Sequence, residues 1–211
     1  MCLNALLYQA FFLIQGSFRC FEALLHSIHL LRAESELKDT RGTPLLISLS
    51  SLSLPGKPKS AFYEAMIALL ISTAPELVQL PDRAYIGDGR TALHQAAAVG
   101  NLKVMQMLIS NKAQINAKNA SGETPLHFAA RFNHLDAVKY LIASGAAINE
   151  KTRYTQTTPL MAAAEMGNET VIRLLMLSGA ERDARDAFGK TAPERFREFR
   201  VAAVPAQSVK K

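Results

Sequence analysis

The chain has 211 residues, of which 49% are hydrophobic and 20% are charged. This balance supplies enough apolar material for a sizeable core and argues against global disorder, and the length allows one or two domains. The two cysteines, Cys2 and Cys20, form no C-x-x-C pair, which argues against a cysteine zinc site and a disulfide scaffold.

The formal net charge of +6 lies entirely in residues 88–211, which hold 17 Lys/Arg and 11 Asp/Glu, whereas residues 1–87 hold seven of each. A basic half can attract acidic partners or nucleic acid. The favoured interpretation is a solvated surface with a mild basic excess. Nucleic-acid association is kept as a hypothesis, but nucleic acid is not the expected partner.

The first eighteen residues carry no charge, which is compatible with a signal peptide, a membrane anchor or a buried helix. No basic residue precedes the apolar run, since the first is Arg19. Asn4, Gln9 and Gln15 interrupt the stretch, which is barely long enough to span a bilayer. We therefore predict a buried helix at the start of the chain, and no membrane partner.

Two helices are predicted in the next part of the chain. In "DTRGTPLLISLSS", residues 39–51, a Thr-Pro pair starts a helix, because proline fits the first helical turn. The run "SAFYEAMIALLIS", residues 60–72, predicts a second helix. A Pro/Gly/Ser/Lys-rich stretch near 52–60 predicts an inserted loop between them.

A repeat becomes clear from residue 88 onward. The run Thr91-Ala-Leu-His94 recurs from Thr124 and from Thr158, and weakly from Thr191, in steps of 33, 34 and 33 residues. Two further markers keep the same period: a Gly-Asn or Asn-His pair nine residues after each of the first three threonines, and "NKAQIN", "SGAAIN" and "SGAERD" further on. Three markers at one period predict a repeat architecture.

Each marker has a physical role in a pair of helices. Alanine pairs after the histidine position let neighbouring helices approach closely. Gly100 and Gly167 suit a left-handed turn, and Asn133 is the next-best residue there. Gly145 and Gly179 end the second helix, whereas Lys112 occupies this position in the first unit and is expected to cost some stability.

The pattern resembles the ankyrin repeat. The resemblance rests on T-P-L-H-x-A-A at residues 124–130, the glycine nine residues after the threonine, S-G-A at 144–146 and the D/N-x-x-G turn at 119–122. It implies an all-α fold, a solenoid of stacked helix-turn-helix pairs with β-hairpin-like loops. We expect degenerate repeats over 1–87, three regular repeats over 88–190, and a degenerate capping helix with a flexible basic tail over 191–211.

His94 and His127 occupy the same position in successive repeats. In the ankyrin family this histidine hydrogen-bonds backbone in adjoining loops, so the resemblance implies a brace rather than a catalytic group; Met161 removes the brace from the third unit. The chain contains no H-E-x-x-H, G-x-S-x-G or phosphate-loop motif. We predict no catalytic residue, metal, cofactor or small-molecule substrate, and a monomer.

The resemblance also implies a concave binding face lined by loop tips and by the first helix of each unit. Phe128 and Phe132 lie four residues apart beside Arg131, and Tyr154 lies in an irregular loop, so these are the best contact candidates. The alternative for each phenylalanine is packing inside the stack. The predicted partner-binding residues are Gln95, Lys118, Phe128, Arg131, Phe132, Arg153, Tyr154, Glu165, Met166 and Phe188.

Two functional hypotheses remain at this point. The first is a non-catalytic protein–protein interaction module acting as scaffold, adaptor or inhibitor. The alternative is the ankyrin targeting region of a larger or truncated enzyme, or of a bacterial effector. The cysteine usage predicts a cytoplasmic location, which for an effector would be the host cytosol.

Overall fold

The computed structural model describes residues 45–52, 60–73, 75–82 and 88–202. The predicted N-terminal helix, most of the loop predicted near 52–60 and the predicted basic tail lie outside the described residues. The cysteines also lie outside them.

The described residues form helices and connecting loops and contain no strand. The helices are α1 (Leu45–Leu52), α2 (Ser60–Thr73), a 3-10 helix (Pro75–Gln79), α3 (Ala92–Val99), α4 (Leu102–Ser110), α5 (Pro125–Arg131), α6 (Leu135–Ala143), α7 (Pro159–Glu165), α8 (Glu169–Leu177) and α9 (Ala192–Ala202).

The α-helices stack in two parallel rows. The inner helices α1, α3, α5, α7 and α9 each pack against the next in that row, and the outer helices α2, α4, α6 and α8 do the same. Each inner helix except α9 also packs against the outer helix that follows it. Alanine pairs on the inner helices, such as Ala96-Ala97 and Ala129-Ala130, are fully buried, which allows this close approach. The predicted all-α solenoid is confirmed.

The inner helices α3, α5, α7 and α9 begin at the repeated threonine. In α3 and α5 a histidine replaces the usual glutamate of a capping box, whereas α9 has Glu194 there. Thr124 N–H donates to Nδ1 of His127 (3.1 Å), and the opposite ring nitrogen, Nε2, lies 3.0 Å from the Thr157 carbonyl of the next unit. Because Nδ1 accepts, the ring proton is on Nε2 and is donated to that carbonyl. His94 makes the same pair of contacts with Thr91 and Glu123. The predicted bracing role is confirmed.

Left-handed residues form the turns between inner and outer helices, as predicted. Gly100, Asn133 and Gly167 have φ of 71°, 61° and 69°. At Gly100 a side chain is also excluded by contact, because an added Cβ would lie 2.4 Å from Nδ1 of His134. Lys112 adopts φ of 64° at the position where the later units have glycine, which is the strained conformation that the sequence predicts.

Asparagines link the ends of successive units. The Asn116 side-chain oxygen accepts the Ala147 N–H at 2.8 Å, and that of Asn149 accepts the Glu181 N–H at 2.9 Å. These bonds hold neighbouring loops in fixed register.

None of the helices in the described part of the chain is long and apolar enough to cross a membrane.

Candidate partner-binding surface

The hairpin loops that precede the inner helices form a continuous row. Ala120 N–H donates to the Asp88 carbonyl (2.7 Å), Arg153 N–H to Ser121 (2.8 Å), and Ala187 N–H to Thr155 (2.9 Å). Each loop is thus bonded to the one before it. Side chains at equivalent loop positions therefore lie beside one another along the stack.

Side chains within each loop hold its shape. The Asn119 oxygen Oδ1 accepts from Ser121 and Glu123 N–H, and Asp186 Oδ1 accepts from Phe188 and Lys190 N–H. The loop with the extra residue differs, as its sequence indicates. There the Thr152 hydroxyl accepts the Thr157 N–H, and Gln156 takes a left-handed φ of 52°.

A cleft of about 360 Å³ lies between these loops and the inner helices α5, α7 and α9. We call it the hairpin cleft. It brings together four of the predicted contact residues, namely Arg131, Tyr154, Glu165 and Phe188. The full lining is Ser121, Glu123, Arg131, Thr152, Tyr154, Thr155, Thr157, Glu165, Phe188 and Arg195.

Paired charges form part of the cleft lining. Arg131 lies 2.6 Å from the Glu123 carboxylate, and both side chains are largely buried. Burial raises the pKa of Glu123, but the charge of Arg131 and its hydrogen bond outweigh burial, so the pKa lies below its ordinary value. The carboxylate is therefore ionised near neutral pH, and its pairing holds Arg131 in place.

Arg195 of α9 supplies a second charged group. Its Nε lies 2.8 Å from Oδ2 of the fully buried Asp186 side chain, and its guanidinium also contacts Glu165. This contact links the last inner helix to the preceding one and to the last hairpin. The pairing of Glu123 with Arg131 and of Arg195 with Asp186 was not predicted, because sequence spacing does not show which loop and helix charges meet.

Two exposed aromatic rings flank the cleft. Tyr154 is 70% exposed and Phe188 is 72% exposed. They occupy neighbouring hairpins, 34 residues apart, and the bond between Ala187 and Thr155 places these two hairpins side by side. Both rings are accessible, as predicted.

A second apolar feature runs along the C-terminal ends of the inner helices. Phe132, Met166 and Phe199 are exposed and are spaced by 34 and 33 residues, which is the repeat period. We call these three residues the end row. The sequence prediction included the first two and missed Phe199, although the same period would have identified it.

The prediction that Phe128 contacts a partner is wrong, since its side chain is only 1% exposed. Its ring packs edge-on against His94 at 5.6 Å between centroids, and the guanidinium of Arg90 lies 4.5 Å from its centroid. Arg131 lies on the ring at 5.8 Å. Phe128 is therefore packed between units, where it supports two arginines and cannot touch a partner directly.

The remaining predicted residues lie outside the cleft lining. Gln95 is partly buried on α3, and Lys118 pairs with Glu150 at 2.6 Å. Arg153 is exposed beside Tyr154. In the described part of the chain, no group of three or more His, Cys, Asp or Glu side chains could hold a metal ion.

Comparison with known proteins identifies one family. A family model of ankyrin repeats in three copies matches residues 60–152 and 113–186, and these matches together cover residues 60–186. No curated protein matches the chain.

Proposed function

Because the chain belongs to the ankyrin-repeat family, a family of general protein-interaction modules, we propose that it is a non-catalytic module that binds a protein partner at the hairpin cleft. In this role it acts as a monomeric scaffold, adaptor or inhibitor in the cytoplasm. The observation that carries the proposal is the exposure of Tyr154 and Phe188 in the lining of a cleft that also contains charged side chains.

Exposed aromatic rings of this kind favour a binding role. Moving large apolar side chains out of water into an interface lowers the free energy, and aromatic residues and arginine are enriched in protein interfaces. Tyr154 and Phe188 belong to adjacent loops and line one cleft together with Arg131. A partner side chain that enters the cleft would contact all three.

The cleft is also preorganised. Arg131 is held by Glu123, and Arg195 by Asp186, before any partner arrives. The hairpins are fixed by hydrogen bonds to their neighbours. A partner therefore does not have to order these side chains, which lowers the entropic cost of binding.

The end row extends the proposed surface. Phe132 and Met166 cap the C-terminal ends of α5 and α7, and Phe199 lies on α9. These three inner helices also line the cleft. A partner that spans the cleft and the end row would bury apolar area on three consecutive units. This area could supply the affinity, while the charged groups in the cleft orient the partner.

The test is affinity capture from cell lysate with wild type and with a Tyr154→Ala/Phe188→Ala variant. Both side chains are largely solvent-exposed, so circular dichroism should show an unchanged fold. If each ring contributes about 2 kcal/mol, as central aromatic contacts do, the variant should retain less than about a tenth of the captured partner.

The matched control is Met176→Ala/Leu177→Ala on the outer helix α8. These side chains are also exposed and apolar, and neither lines the hairpin cleft. The control should capture the same proteins as wild type. Equal capture by the cleft variant, or loss only in the control, would contradict the proposed site.

A further inference from the structure

The hairpins carry a column of cations beside the two aromatic rings. Lys118, Lys151 and Arg185 occupy equivalent positions in three successive hairpins, 33 and 34 residues apart. The Lys151 amine donates to the Arg185 carbonyl at 3.2 Å, so the last two loops are in direct contact there. Arg153 extends from the same loop as Lys151, next to Tyr154.

Three of these cations lie beyond salt-bridge distance of every carboxylate among the described residues, although Arg185 is near enough to Glu194 to interact with it electrostatically. Arg90, Lys118, Arg131 and Arg195 each pair with a carboxylate, whereas Lys151, Arg153 and Arg185 form no salt bridge within residues 45–52, 60–73, 75–82 and 88–202. We call these three residues the tip cations, and all are exposed.

The hydrogen bonds of the tip cations leave their charge available. Lys151 donates to the Arg185 carbonyl, and Arg185 Nη1 donates to the Gly189 carbonyl at 2.5 Å. Carbonyl oxygens are neutral, so these bonds orient the two cations without neutralising them. An anionic partner would meet positive charges that are already partly fixed in position.

We propose that the partner presents an extended acidic segment to the hairpins, with carboxylates on the tip cations and an apolar side chain between Tyr154 and Phe188. This inference rests on the proposed function and adds the chemical character of the partner. Complementary charge would select acidic segments and speed their association, and the rings would supply affinity.

The spacing of the stack suits an extended peptide. Neighbouring packed helices lie about 8–10 Å apart, and a hairpin precedes each inner helix. An extended segment in the polyproline II conformation advances about 3.1 Å per residue with three residues per turn, so residues three apart face the same side and span about one repeat. Carboxylates three residues apart in the partner would therefore meet Lys151 and Arg185 in turn.

A protein segment fits this surface better than a nucleic acid. Glu150 lies next to Lys151 in sequence, and Glu165 is a partly exposed carboxylate in the cleft. A nucleic-acid backbone carries a charge at every phosphate and would meet these acidic groups as well as the cations. A peptide can place its carboxylates only where the cations are.

The probe is a displayed library of random twelve-residue peptides, selected on wild-type protein at low salt. We expect the enriched peptides to carry net negative charge together with an aromatic or aliphatic residue. Individual peptides should bind a Lys151→Glu/Arg153→Glu/Arg185→Glu variant at least about tenfold more weakly, and should weaken on wild type as salt rises.

The matched control is Lys139→Glu/Arg173→Glu/Arg200→Glu, which changes the net charge equally at exposed sites outside the cleft lining. It should keep the affinity of wild type. Enriched peptides that are neutral or basic, or that bind both triple variants equally, would overturn the acidic partner. If such neutral or basic peptides still required Tyr154 and Phe188 for binding, the proposed binding function of the hairpin cleft would stand without the acidic partner.

Two other results would also overturn the inference. If no peptide is enriched, an acidic segment is not the ligand, and the hairpin cleft itself loses support. If a labelled single- or double-stranded DNA competes with the peptides at physiological salt and depends on the tip cations, the surface is a nucleic-acid site instead.

Discussion

At the residue scale, two buried histidines connect one repeat to the next. His94 and His127 are fully buried, and each ring bonds through both nitrogens. Burial lowers the pKa of each from 6.5 to about 4, since a charged imidazolium would lose its hydration. The rings therefore serve as neutral braces, and protonation would break the bond at Nδ1.

This lowered pKa predicts that the protein is less stable in mild acid. The unfolded chain takes up a proton at each histidine near pH 6.5, whereas the folded protein does so only near pH 4, so stability falls as pH falls through that window. Between pH 7 and pH 5 each histidine should lower the free energy of unfolding by about 2 kcal/mol. Urea unfolding followed by circular dichroism at pH 7, 6 and 5 measures it.

The chain offers its own control for this prediction. Met161 occupies the histidine position in the third regular unit, where its sulfur lies 3.5 Å from the Thr158 nitrogen. A His127→Met variant should therefore fold and should lose about half of the pH dependence. An unfolding free energy that stays constant between pH 7 and pH 5 in wild type would show that the rings are not buried in neutral form.

At the scale of the element, a charge cluster helps to attach the last helix α9, in addition to the apolar contacts of Ala192 and Phe196 with the core. Arg195 stands at the position that Phe128 and Ala162 hold in earlier inner helices. It bonds to Asp186 of the last hairpin and contacts Glu165 at the end of α7. The helix and the hairpin that line one end of the cleft therefore depend on the same arginine.

Replacing this arginine should destabilise the end of the stack. An Arg195→Met change leaves the fully buried Asp186 carboxylate without a cation, which should cost about 3 kcal/mol. Adding Asp186→Asn removes the unpaired charge and keeps Oδ1 as acceptor for the hairpin N–H groups, so the double variant should be more stable than the single one. Urea unfolding measures the stability of both variants. A double variant less stable than the single one would contradict the prediction.

Much of each repeat could be predicted from its sequence, because the markers act locally. The threonine starts a helix and a left-handed residue such as Gly100 closes a turn whatever the neighbouring unit contains. The fate of Phe128 was different. Its burial depends on Arg90 and His94 of the previous unit, and the sequence does not show how side chains from two units meet.

The hairpin cleft could not be predicted from the sequence for the same reason. Tyr154 and Phe188 stood out as exposed candidates, since they lie in loops. The two ion pairs among the residues of the cleft lining join Glu123 to Arg131, eight positions apart, and Glu165 to Arg195, thirty positions apart. No periodic pattern marks such pairs, so the polar lining became visible only in three dimensions.

At the scale of the whole molecule, stacking makes one surface from several units. Brace bonds run between neighbouring units, from His94 to Glu123 and from Asn149 to Glu181, so each unit is positioned by the next. The result is a rigid row of hairpins beside a row of helices. A partner that binds across α5, α7 and α9 would recognise the stack and not a single repeat.

The most direct test of this account is site-specific photo-cross-linking in cells. A benzophenone amino acid replaces Phe188 at the hairpin cleft in one variant and Leu177 on outer helix α8 in another, and both native side chains are highly exposed. The account predicts that light yields a covalent partner adduct from position 188 and none from position 177. An adduct from position 177 with none from position 188 would contradict it.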